Sequence, residues 1–186
     1  MISRKHRFLF VHIPRSGGTS ISSQLPEAVR ESEKHDSLFT MENKFDVSGF
    51  FKFTFIRNPW DIVISKYLSP YYSRSPKRPK IGKLANKSLL YFLKNYYPAP
   101  SESGDLLHDY FNPSKMDFIG RFETRERDLD YVSSKIGIKL DPSVCLRRIK
   151  PKHKHYTEYY DDETREIVGE KYAKDIEYFG YKFKDE

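Results

Sequence analysis

The chain has 186 residues, 38% of them hydrophobic and 32% charged, with a formal net charge of +7 and a mean hydropathy of −0.73. That length suits a single domain, residues 1–186, around one core, and no run approaches the ~18 apolar residues of a membrane span. A single cysteine, Cys145, excludes an internal disulfide and any multi-cysteine metal centre.

The first residues, MISRKHRFLFVHI, start basic, but their apolar run is short and no small-residue cleavage site follows. No signal peptide is expected, and a reducing, cytoplasmic location fits the cysteine usage. The 14 Tyr and 14 Phe supply buried area that the modest apolar content would not.

Phe8 to Ile13 is an apolar run ending in a Pro-containing, Gly-rich turn, and it predicts a buried strand. A helix is expected from Gly18 or Thr19, weakening at Pro26. Phe50 to Ile56, FFKFTFI, predicts a second buried strand. Asn58 and Pro59 follow as an N-cap and a proline at the first helical position. Trp60, Val63, Ile64, Tyr67 and Leu68 then recur at helical spacing.

Residues 69–86 form a Pro-rich excursion without periodicity. From Asp61 to Glu102 there is no acidic residue between, while Lys66, Arg74, Lys77, Arg78, Lys80, Lys83, Lys87 and Lys94 fall inside that interval. This one segment therefore accounts for more than the whole net charge. It favours an anionic partner or, equally, forms a solvated basic loop.

Residues 87–97 predict a helix, and SESG at 101–104 a break. DFIGRFE at 117–123 is a third strand candidate. It is followed by a helix with Leu129, Val132 and Ile136 on one face and Gly137 as its stop. The tail EYYDDETREIVGEKYAKDIEYFGY opens with acids and puts Ile167, Val168, Tyr172 and Ile176 on one helical face. Strands alternating with helices predict an α/β fold with a central parallel sheet flanked by helices in three layers. Both strand–turn–helix units then point their turns at the carboxyl edge of the sheet, where ligands bind.

The first of those turns, HIPRSGGTS, resembles a phosphate loop that has lost its lysine. With the G-K-[ST] of the P-loop pattern laid on Gly17, Gly18 and Thr19, the first glycine falls on His12 and the lysine on Gly18. What survives is a strand, backbone N–H groups, hydroxyls and a helix start, which bind a phosphate. Arg15 puts a cation inside the loop, suited to one phosphate and no metal cluster. In the second turn, Arg57 stands at a strand end and Ser65 eight residues on, a combination suited to a separate phosphate. An arginine paired with Asp61 and an idle Ser65 would be the structural alternative.

Together, HIPRSGGTS and FTFIRNPWDIVISKY resemble the two nucleotide motifs of sulfotransferases that use 3′-phosphoadenosine 5′-phosphosulfate (PAPS). The likeness is to the carbohydrate and heparan O-sulfotransferase branch and its small bacterial relatives. EKHDS, DFIGRFE and the C-terminal stretch from residue 152 are similar to the same branch.

The resemblance implies a P-loop-like fold and transfer of a sulfuryl group from PAPS to a hydroxyl of a carbohydrate acceptor, without a metal. It assigns the 5′-phosphosulfate to Arg15, Ser16, Gly17, Gly18, Thr19 and Ser20, with Arg15 standing where relatives often carry lysine. It assigns the 3′-phosphate to Arg57 and Ser65, and a closing loop to residues 150–156, with Lys152 and Tyr156 as contacts. Ile62 stands where many relatives carry a further arginine.

The acceptor proton requires a base, and the resemblance points to His35. His12 is expected to be structural, and His108, His153 and His155 are weaker rivals. Lys77, Arg78 and Lys80 in the basic excursion are expected to border the cleft for an anionic saccharide. Two other classes compete: a nucleotide kinase, which would need the missing lysine and a magnesium-binding acid, and a non-catalytic nucleotide- or nucleic-acid-binding module. No RNA- or DNA-binding signature supports the latter.

Overall fold

The computed structural model describes residues 1–25, 35–68, 88–95, 97, 107–146 and 154–184. The predicted excursion at 69–86, and with it Lys77, Arg78 and Lys80, lies outside them, as do Lys152, His153 and the side chain of His108. The chain divides into two compact units: Met1–Arg57 with Leu107–Arg147, and Asn58–Leu106 with Arg148–Glu186.

The first unit is built on a four-stranded sheet in the order β1 (Ile2–Ser3), β2 (Phe8–Val11), β3 (Phe51–Ile56), β4 (Phe118–Arg121). β2, β3 and β4 run parallel, with Phe10 opposite Phe53 and Phe55 opposite Gly120. β1 adds antiparallel to β2, a strand too short to register as periodicity in the sequence. The predicted parallel sheet is thus found with an antiparallel edge, which makes an α/β protein with a mostly parallel sheet.

Alternation along β2 and β3 turns Phe8, Phe10, Phe53 and Phe55 to one face. There they pack with Ile21 of α1 (Gly18–Ser22) and with Leu129, Val132 and Ile136 of the helix Arg125–Ile136. The last three are the residues whose spacing predicted that helix, and it ends where expected, at Gly137 with φ 68°. Lys52 points to the opposite face of β3 and pairs with Glu42 of α2 (Leu38–Lys44). Nothing in the sequence analysis anticipated α2, although Ser37 caps it by accepting from the Thr40 amide.

The second unit starts at Asn58, whose side chain accepts from the Trp60 amide at 3.1 Å and caps α3 (Pro59–Tyr67), with the proline at the first helical position as expected. Trp60, Val63 and Ile64 pack with Phe92 and Leu93 of α4 (Leu89–Asn95) and with Val168 and Tyr172. Trp60 donates its indole N–H to the Arg165 carbonyl. Tyr160 donates to the Trp60 carbonyl, and burial pushes its phenol well above the ordinary value, which keeps it a donor.

The single tail helix expected from the sequence is found in two pieces, Asp162–Lys171 and Ala173–Phe179, after a 3-10 turn at Tyr156–Tyr159. The chain bends at Tyr172, where the side chain is wholly buried and its hydroxyl bonds that of Tyr97. Period alone sees one stripe, whereas the backbone leaves the helical conformation at Tyr172, with φ −112° and ψ 19°. Among the described residues, no helix is long and apolar enough to cross a membrane.

Candidate functional site

The end of β2 does not run smoothly into α1. Arg15 has φ 70° and Gly17 φ 81°, so two residues of the turn take the left-handed conformation. For glycine this costs little, but for arginine it costs on the order of 1 kcal/mol or more, and such strain gathers where function holds it. Left-handed residues alternating with ordinary ones turn successive backbone N–H groups toward one concavity, a shape suited to an anion. Gly17 is also the N-cap of α1 and supplies no side-chain cap. α1 itself spans only five residues. The donors of the turn, rather than a long helix dipole, are therefore what it offers.

Ser16 sits between the two left-handed residues. It is 1% exposed, and its hydroxyl has no hydrogen-bond partner among the described residues. A buried, unpartnered O–H costs about 1–3 kcal/mol. The same atom in contact with a phosphate oxygen would be satisfied, so the loop fits a phosphate group. Ser20 is different: its Oγ accepts from the Leu146 amide at 3.0 Å, a tie within the fold. Thr19 is half-buried on α1.

Gly18 is required for another reason. A Cβ there would lie 2.2 Å from the His12 ring, so glycine lets the start of α1 settle directly on that imidazole. His12 is 3% exposed and stacks on Phe10. Ser22 Oγ donates to the Gly18 carbonyl and lies 3.4 Å from His12 Nδ1. This matches its expected structural role.

The structure brings His35 to the same place. Its Nδ1 lies 2.9 Å from the His12 carbonyl oxygen, and its ring meets the His12 ring edge-on, with centroids 4.7 Å apart. A carbonyl only accepts, so Nδ1 carries the proton and the basic lone pair of the neutral ring belongs to Nε2.

Arg57 reaches the loop from the end of β3. Its Nη1 donates to the Arg15 carbonyl at 3.0 Å, and its guanidinium lies 4.1 Å from the centre of the Phe122 ring. Sequence reasoning passed over Phe122; an aromatic directly after a strand end, in GRFE, was the available signal. Arg15, Ser16, Gly17, Arg57 and His35 therefore all stand at one edge of the first unit.

Two predicted residues belong to the second unit. Ser65 is 4% exposed on α3. Tyr156 is 8% exposed and donates its hydroxyl to the Phe183 carbonyl at 2.6 Å, while Asn58 Nδ2 approaches that hydroxyl and donates to the Lys182 carbonyl. The tyrosine hydroxyl's one proton is thus committed to the C-terminal turn. His155, a weaker rival for the base, contacts Thr157 and the Tyr156 ring.

Fold and site define an α/β protein with a mostly parallel sheet and a strained, phosphate-compatible turn at one strand end. An uncharacterized protein of Archaeoglobus fulgidus is 34% identical to the chain over 100 residues, 53% of this chain and 77% of that protein, and the two belong to one family. No protein-family model matches the chain.

Proposed function

We propose that the protein is an O-sulfotransferase that takes its sulfuryl group from PAPS and delivers it to a hydroxyl, with an anionic saccharide as the acceptor class. The observation that carries this proposal is the buried Ser16 hydroxyl, which has no partner among the described residues, inside a turn strained at Arg15 and Gly17. It is supported by Arg57 docked on that turn and by the P-loop-like order of strand, glycine-rich loop and helix. A turn of this size, lacking the lysine that reaches outer phosphates, suits a single phosphate.

PAPS would supply an activated sulfuryl group on a phosphate leaving group. The chain's own residues do the rest by position and charge, as for phosphoryl transfer. Ser16 and the amides of the turn hold the phosphate. Arg15 balances the charge that develops there, and the Arg57 guanidinium binds a further phosphate of the nucleotide. His35, with Nδ1 committed to the His12 carbonyl, accepts the acceptor's proton at Nε2.

Thermal-shift measurements with adenosine 3′,5′-bisphosphate, ATP–Mg²⁺ and a short oligonucleotide test the nucleotide class. Stabilisation by the bisphosphate without metal is expected; stabilisation only by ATP–Mg²⁺ or only by the oligonucleotide would sink the proposal. For the base, His35→Ala should lower kcat about 100-fold or more while bisphosphate affinity holds. Near-normal turnover in that variant would remove His35 from the role.

A further inference from the structure

We propose that Phe122 is a positioning residue that locks Arg57 against the phosphate turn. The inference rests on the nucleotide-binding function proposed above and adds a component that neither nucleotide motif contains. Phe122 follows β4 and continues its ladder, with its amide donating to the Ile56 carbonyl at 2.8 Å. That bond fixes the ring at the carboxyl edge, directly beside the residue that precedes Arg57.

One side of the ring faces Gly17. A Cβ on Gly17 would lie 3.1 and 3.3 Å from two carbons of the Phe122 ring, so the aromatic approaches the turn as closely as a residue without a side chain permits. The guanidinium of Arg57 also lies against this ring, 4.1 Å from its centre. Phe122 is therefore a wedge that touches both nucleotide motifs at once.

An unsupported arginine loses much rotamer freedom on binding an anion. Stacked on an aromatic and bonded to the Arg15 carbonyl, Arg57 has lost that freedom before the ligand arrives. Gly17 is thereby required twice, for its φ of 81° and for the room it leaves the ring. Phe122 touches no ligand in this scheme; it acts through Arg57.

Phe122→Leu keeps apolar bulk but removes the π face. Its affinity for adenosine 3′,5′-bisphosphate, measured by calorimetry, should fall about tenfold. Phe122→Trp, which restores the face, should stay within about threefold of wild type. In an Arg57→Gln background the leucine change should cost less than about twofold, because the residue it acts through is gone. Ring-current displacement of the Arg57 side-chain NMR signals should be present in the wild type and the tryptophan variant and absent in the leucine variant.

Equal bisphosphate affinity in wild type and Phe122→Leu overturns this inference alone. So does an equal leucine penalty with and without Arg57, which would mark a purely structural role. A wild-type protein that binds no bisphosphate overturns the nucleotide proposal, and this inference with it.

Discussion

Two strand–turn–helix units leave the sheet edge, and they finish their turns in opposite ways. After β3, Asn58 closes the start of its helix: its side chain accepts from the Trp60 amide, and its own amide group donates to the Lys182 carbonyl. After β2, Gly17 caps nothing, Arg15 is strained, and the Ser16 hydroxyl is buried without a partner among the described residues. The β3 turn is complete as protein. The β2 turn leaves a buried hydroxyl that the proposed phosphate would satisfy. Comparable sequence signals, a strand followed by a turn and a helix, thus lead to one turn closed by its own hydrogen bonds and one that carries strain and an unsatisfied hydroxyl.

The largest effect on this contrast should come from Gly18→Ala. Its Cβ would fall 2.2 Å from the His12 ring, which is buried and stacked on Phe10. A loss of about 3 kcal/mol is expected, or a fall in Tm of roughly 6–12 °C, read by calorimetry. Next, Arg57→Ala should weaken bisphosphate binding about 30- to 100-fold in a titration while leaving Tm within a few degrees. Asn58→Ala should do the reverse: lower stability by about 1–2 kcal/mol in urea unfolding, with bisphosphate affinity per folded molecule unchanged. If Asn58→Ala weakened binding as much as Arg57→Ala, the distinction between the two turns would collapse.

The smallest effect concerns the ion pairs on the sheet face away from the aromatic cluster. Lys52 and Lys115 hold the Glu42 carboxyl below its ordinary value of 4.5. A lowered carboxylate pKa contributes stability that is present above the unfolded value and is lost as pH falls through the folded one. Glu42→Gln should therefore cost about 0.5 kcal/mol at neutral pH, and that cost should shrink only as the pH falls through the lowered folded value of wild-type Glu42. Urea unfolding of wild type and variant over a series of falling pH values reads this, and a cost that grew rather than shrank with acidification would contradict the pairing.

Much of the fold was legible because its signals are local. The apolar runs at Phe8 and Phe50, the Asn58-Pro59 start and the Leu129/Val132/Ile136 stripe ending at Gly137 each state their element within a few residues. The antiparallel β1 was not legible, since two residues carry no period. The break at Tyr172 was not legible either, because the apolar period runs straight through it.

For the site, the residue types in HIPRSGGTS and FIRNPW pointed to one edge of the sheet, where Arg57 bonds the Arg15 carbonyl. They did not reveal that Ser16 has no partner among the described residues while Ser20 is tied to Leu146, for both are serines close to the same glycine pair. Nor did they reveal the wedge at Phe122, which depends on β4 lying beside β3. The carboxyl-edge geometry comes from long-range pairing, and no window of sequence contains it.

The central claim, that the turn after β2 is held open for a phosphate, is tested most directly by Ser16→Ala. Deleting a satisfied hydroxyl from a folded core destabilises it, whereas deleting an unsatisfied one relieves a cost of about 1 kcal/mol or more. Differential scanning calorimetry of wild type and variant, each with and without adenosine 3′,5′-bisphosphate, reads both consequences at once. The ligand-free variant should melt at the same temperature as the wild type or higher, and its gain on adding bisphosphate should be clearly smaller. A ligand-free variant that melts lower, with an undiminished gain from the ligand, would contradict the account.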